Sequence, residues 1–77
     1  MKFAKSILMK KILDIQASEK LNSDEKRTLI NILLTALEND YNKIFLIQLL
    51  TEYNRLITHL GFDELLLTED EIDKLVS

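Results

Sequence analysis

One imidazole and two runs of carboxylates are the side chains of this 77-residue chain best suited to act on a substrate or hold an ion. The imidazole is His59. The carboxylates are Asp63/Glu64 and Glu69/Asp70/Glu71/Asp73. A histidine can move a proton near neutral pH. With no cysteine and no second histidine, His59 has nothing to complete a transition-metal site. Clustered acids suit Mg²⁺ or Ca²⁺, but a calcium loop alternates its oxygen ligands around a mid-loop glycine, and neither run does. The only glycine is Gly61, so no glycine-rich loop exists to cradle a phosphate. General acid–base work also needs a cleft, and a chain this short has little material to wall one. The plainer reading is that the acids cap helices and keep the chain dissolved, while His59 lies solvated on the polar side of a helix. The sequence therefore reads as a non-enzyme, with no catalytic residue, no cofactor and no metal.

The elements that carry these residues are helical. Between Tyr41 and Leu60, Phe45, Leu46, Leu49, Leu50, Tyr53, Leu56, Ile57 and Leu60 fall on one side at 100° per residue. Gly61 follows, where a helix end wants positive φ. A first helix is expected from Lys2 to Ala17, with Phe3, Ala4, Ile7, Leu8, Ile12 and Ile15 on one face and Met9 and Leu13 off it. A second starts at Asn22 or Ser23, where Asn22 and Glu25 have capping-box spacing, and runs to Glu38. Its apolar residues cover more than half its circumference, which predicts a helix at the centre of the bundle. Asn39-Asp40 is a short turn, with one of the two as the next N-cap, so the second and third helices are antiparallel neighbours. Residues 62–67 fit either a strand or a helical turn. Thr68 and Glu71 make a capping box that opens a short last helix with Ile72, Leu75 and Val76.

The fold class is all-α: one domain, a small antiparallel bundle of three main helices and a short C-terminal fourth. A chain of this length buries only ~60% of its unfolded surface, so a rich core is needed. Here 47% of residues are hydrophobic. The expected core is Leu8, Ile12, Leu29, Leu33, Leu37, Leu49, Leu50, Tyr53, Leu56, Ile57 and Leu60.

Charge is uneven on this small acidic protein. The formal net of −3 divides as +3 over residues 1–20, −2 over 21–40, +1 over 41–60 and −5 over 61–77. The basic start lacks the uninterrupted apolar run and cleavage site of a signal peptide, and no stretch approaches the ~20 apolar residues of a membrane span. The expected location is cytoplasmic. A DNA-reading third helix would present Lys43, Gln48, Thr51, Glu52, Asn54, Arg55 and Thr58. That set is thin for neutralising phosphates on an acidic protein, so the chain reads against nucleic acid.

Two features depart from a plain solvated bundle. Ile44 and Ile47 fall on the polar side of the third helix, with Tyr41 near them and Gln48, Thr51 and Arg55 around them. Either another helix covers them, the N-terminal one first, or they form a surface for a partner or a second copy. The acidic end, Glu69, Asp70, Glu71 and Asp73, is the second candidate for contact with a protein. A homodimer, and a small phage or mobile-element regulator or inhibitor that binds a host protein, are both open readings.

The assembled order adds a resemblance. A basic first helix, an Asn-Ser-Asp-Glu start, a Leu-rich second helix and a long amphipathic third helix come first. The segment Leu65 to Leu75, which contains Leu-Thr-Glu-Asp-Glu-Ile-Asp-Lys-Leu, comes last. With the spacing of Leu33, Leu37, Leu49, Leu50 and Leu56, this resembles the immunity proteins of pediocin-like (class IIa) bacteriocins. The resemblance spans most of the chain and is carried by helical spacing. It implies a cytoplasmic four-helix bundle that protects the producer cell from inside, acting by binding on the membrane sugar permease that the bacteriocin has engaged.

Overall fold

The computed structural model describes residues 2–39 and 42–77, with side chains described from residue 5 onward. The described residues form four α-helices and one short 3₁₀ turn: α1 (Lys2–Ala17), α2 (Ser23–Glu38), α3 (Lys43–Leu60), the turn Asp63–Leu65, and α4 (Glu69–Val76). No strand occurs among the described residues. The all-α bundle with a short fourth helix follows the periodicity. The expectations for the side chains of Phe3 and Ala4, and for Asp40 and Tyr41, lie outside the described residues.

The helices begin where side chains can take up orphan backbone N–H groups. Asn22 Oδ1 accepts from the Glu25 amide at 2.8 Å, and Glu25 Oε1 accepts from the Asn22 amide at 3.0 Å. Thr68 and Glu71 exchange the same pair at 3.1 and 2.9 Å. Helix α3 starts later than the turn residues suggest. Asn42, not Asn39 or Asp40, is its N-cap, with Oδ1 accepting from the Phe45 amide at 3.1 Å. Asn39 instead closes α2, its amide donating to the Ala36 carbonyl at 3.3 Å. Three Asx residues, Asn39, Asp40 and Asn42, stand between Glu38 and Lys43, so composition alone could not choose among them.

Gly61 ends α3 at φ 83°, ψ 21°, in the left-handed region. Its amide donates to the carbonyls of Ile57 and Thr58, and the Phe62 amide also donates to Ile57. A Cβ at this position would meet no atom within 4 Å. The cost of Gly61→Ala is therefore backbone strain alone, about 1 kcal/mol. Urea unfolding should show that loss, and an unchanged midpoint would refute it.

The helices form a ring. Helix α2 packs on α1 and α3, and α4 closes the fourth side against α1 and α3. Among the described residues no close backbone approach joins α1 with α3, or α2 with α4. This corrects the central placement of α2. Its broad apolar arc is shared between two neighbours, and the far edge, Leu34, reaches solvent.

The core runs down the middle of the ring. Leu8, Leu29, Leu33, Leu50, Tyr53 and Ile57 are buried as the spacing predicts, and Ile12, Leu37, Leu49, Leu56 and Leu60 are half-buried around them. Ile15, Leu21, Ala36, Leu46, Leu65, Leu67 and Leu75 are also buried. Leu65 and Leu67 answer the open assignment of residues 62–67: a 3₁₀ turn, then extended backbone.

That connector is held by side chains as well as by burial. The Tyr53 hydroxyl donates to the Leu65 carbonyl at 2.7 Å. Asn54 donates to the Leu67 carbonyl and accepts from the Leu67 amide, both at 2.9 Å. Lys11 Nζ donates to the Leu66 carbonyl at 3.3 Å. Non-helical backbone carries polar groups that a helix would satisfy internally, so a buried connector needs such partners. These bonds fix the start of α4 beside the middle of α3.

Candidate interaction surface

The chemistry-bearing residues do not converge. His59 is exposed near the end of α3, on the rim of a small cleft of about 210 Å³ that α2 closes with Asp24, Glu25, Thr28 and Leu29. The cleft floor is Leu29, Leu56 and Leu60, so it is mostly apolar. This refines the solvated reading of His59, which borders a groove. Asp14, Glu19 and Glu64 lie around an open groove of about 490 Å³ by the first loop. There Lys20 pairs with Glu64 at 3.7 Å. Among the described residues no group of three or more His, Cys, Asp or Glu is placed to hold a metal ion.

The predicted contact residues divide between α3 and α4. Ile44 is 73% exposed and Ile47 41% exposed. Among the described residues α1 makes no close backbone approach to α3, so the N-terminal helix does not cover them. The N-terminal helix stands diagonally across the ring from α3. Gln48, Thr51 and Arg55 are exposed on the same outer side of α3. Arg55 is already engaged: Nε and one terminal nitrogen donate to the two carboxylate oxygens of Glu52. This hydrogen-bonded pair holds Glu52 below the usual carboxylate range and raises Arg55 above its own, at the surface of α3. The residues that a nucleic-acid reader would project are thus partly committed, Arg55 to Glu52 and Asn54 to Leu67.

At the acidic end, Glu69, Asp70 and Asp73 are exposed, and no ion pair engages them among the described residues. Glu71 differs. It is half-buried and completes the Thr68 cap, so its first role is structural. Among the described residues no ion pair joins the Ile44–Arg55 face to the acids of α4.

The helical spacing puts Phe45 on the buried face, yet it stands part-exposed at the edge of α3. Together with Ile44 and Ile47 it leaves the first turns of α3 unusually apolar for solvent-facing helix. Scattered single hydrophobics are normal on a surface, whereas adjacent ones mark contact sites. The signal for Phe45 is its position on the helical wheel, at the margin of the apolar arc.

No known protein family, curated protein or solved structure matches this chain. Among the described residues no helix is long and apolar enough to cross a membrane.

Proposed function

We propose that this chain is a non-enzymatic, protein-binding helical bundle whose contact face is the outer side of α3 around Ile44 and Ile47. The observation that carries the reading is the exposure of this aliphatic pair, one helical turn apart and rimmed by Gln48, Thr51 and Arg55. Apolar area with a polar rim is what a protein interface presents before binding. The particular role is immunity toward a pediocin-like bacteriocin, exerted from the cytoplasm on the bacteriocin-bound sugar permease. It is supported by the resemblance in element order and helical spacing.

A second reading draws on the acidic end. Glu69, Asp70 and Asp73 face solvent without ion-pair partners among the described residues, which suits a regulator or inhibitor from a phage or mobile element docking on a basic host surface. A bacteriocin precursor gene beside the coding sequence favours immunity; phage genes favour the regulator.

Expression in a sensitive strain tests the first reading. Cells making the chain should survive a pediocin-like bacteriocin that kills the parent strain. Ile44→Asp should abolish that protection, because a charge is placed in an apolar contact. Ile44 is the better probe of the pair, being the more exposed, and circular dichroism should show its helices intact. If no pediocin-like bacteriocin in a panel is countered, the immunity role is wrong. If Ile44→Asp protects as well as the parent chain, the surface is wrong.

A further inference from the structure

Three large apolar side chains outside α3 are also left in solvent: Met9 at 58%, Leu13 at 62% and Leu34 at 42% exposed. Helix geometry gathers them on one face. Lys26 Nζ donates to the Gln16 carbonyl at 3.0 Å, which sets the level at which antiparallel α1 and α2 meet. From Lys26, Ile30 and Leu34 follow at four-residue steps along the flank of α2 beside α1. On α1, Lys11 reaches the Leu66 carbonyl on the flank away from α2. Met9 and Leu13 are each two residues from Lys11 and so lie about 160° round the helix from it. Counting back from Gln16 and forward from Lys26 at ~1.5 Å per residue, Met9 and Leu34 reach the same level to within the reach of the lysine side chain. The result is a continuous apolar strip over α1 and α2, on a different side of the ring from Ile44 and Ile47.

The charges on the α2 side of this strip match themselves. Arg27, Asn31, Leu34 and Glu38 form the outward stripe of α2, and all four are exposed. Arg27 and Glu38 are ~16 Å apart along the helix and cannot pair with each other. A twofold axis at the midpoint of Asn31 and Leu34 lays α2 antiparallel on its own copy. The same midpoint bisects Arg27 and Glu38. Arg27 then faces Glu38 of the second copy, Glu38 faces its Arg27, and Leu34 sits between the two pairs. The midpoint of Met9 and Leu13 falls near that level on α1, within the reach of the Lys26 side chain that ties the helices, so one axis closes both. Twofold closure of a single self-complementary patch is the commonest route to a homodimer.

We infer that the outer face of α1 and α2 is a self-association surface whose occupant is a second copy of this chain, with α2 antiparallel to α2. It leaves the α3 face open, so the dimer carries two copies of the proposed contact face.

Sedimentation equilibrium at sub-millimolar concentration tests this directly. The wild-type chain should be a dimer. Leu13→Glu should make it a monomer with unchanged helicity. Arg27→Glu, which sets like charges opposite Glu38, should weaken the dimer about tenfold or more. Adding Glu38→Arg to Arg27→Glu should restore it, because the swap recreates both pairs in this geometry. A wild-type monomer overturns the inference. So does a dimer that survives Leu13→Glu, one that Ile44→Asp breaks, or a double swap that fails to restore association.

Discussion

Leu50→Ala and Leu33→Ala should each cost about 2–5 kcal/mol of stability. Both side chains are fully buried, Leu33 on α2 and Leu50 on α3, at the middle of the ring. Truncation removes the transfer energy of the lost atoms and leaves a cavity that fixed helices close only in part. A domain this short has roughly 4–11 kcal/mol in total at typical per-residue stability. Either change therefore takes a large share, and the two together should leave little folded protein. Urea unfolding followed by circular dichroism measures it, with the midpoint falling and the slope unchanged. Losses below about half a kcal/mol at both positions would mean that the core does not pass through them.

Those two leucines were legible in the sequence, because a helix repeats its buried positions every three or four residues. The same logic reached Leu8, Leu29, Tyr53 and Ile57. It failed in two physical circumstances. The first is the connector. Leu65, in the 3₁₀ turn, and Leu67, in extended backbone, are buried in a connector held by Tyr53, Asn54 and Lys11 from two other helices. Nothing within residues 62–67 encodes that. The second is arrangement. An apolar arc says how much of a helix is covered but not by how many neighbours. The breadth of α2 is compatible with a central helix or with one in a ring, and the ring leaves Leu34 in solvent. The candidate contact face was legible for the opposite reason. Ile44 and Ile47 broke the period of α3, and an apolar residue off the period must be covered from elsewhere or exposed. Only the placement of α1 across the ring decides between those outcomes. Asn42 shows the limit of capping signals: Asn39, Asp40 and Asn42 all suit a cap, and the helix starts after the last of them.

Tyr53→Phe should cost about 1–3 kcal/mol at neutral pH, and the deficit should shrink as the solution is made alkaline. The hydroxyl is buried and donates to the Leu65 carbonyl at 2.7 Å. Removing it leaves that carbonyl without its side-chain donor in a site closed to water, which costs more than the net worth of an average hydrogen bond. The same burial pushes the phenol's pKa well above its ordinary value, with the negative charges of Asp14 and Glu71 adding to the shift. In the unfolded chain the phenol loses its proton near pH ~10, while the folded chain still holds it. The group's contribution is therefore whole below ~10 and declines above it, by up to ~1.4 kcal/mol per pH unit, until the folded phenol ionises. Phenylalanine has no proton to lose. All other titrating groups are common to the two proteins, so they cancel in the difference. Urea unfolding of both proteins from neutral pH to about pH 11 should show curves that are separate at first and converge above ~10. A constant gap across that range would mean that the Tyr53 hydroxyl is open to water in solution, and that the bond to Leu65 does not hold the connector against α3.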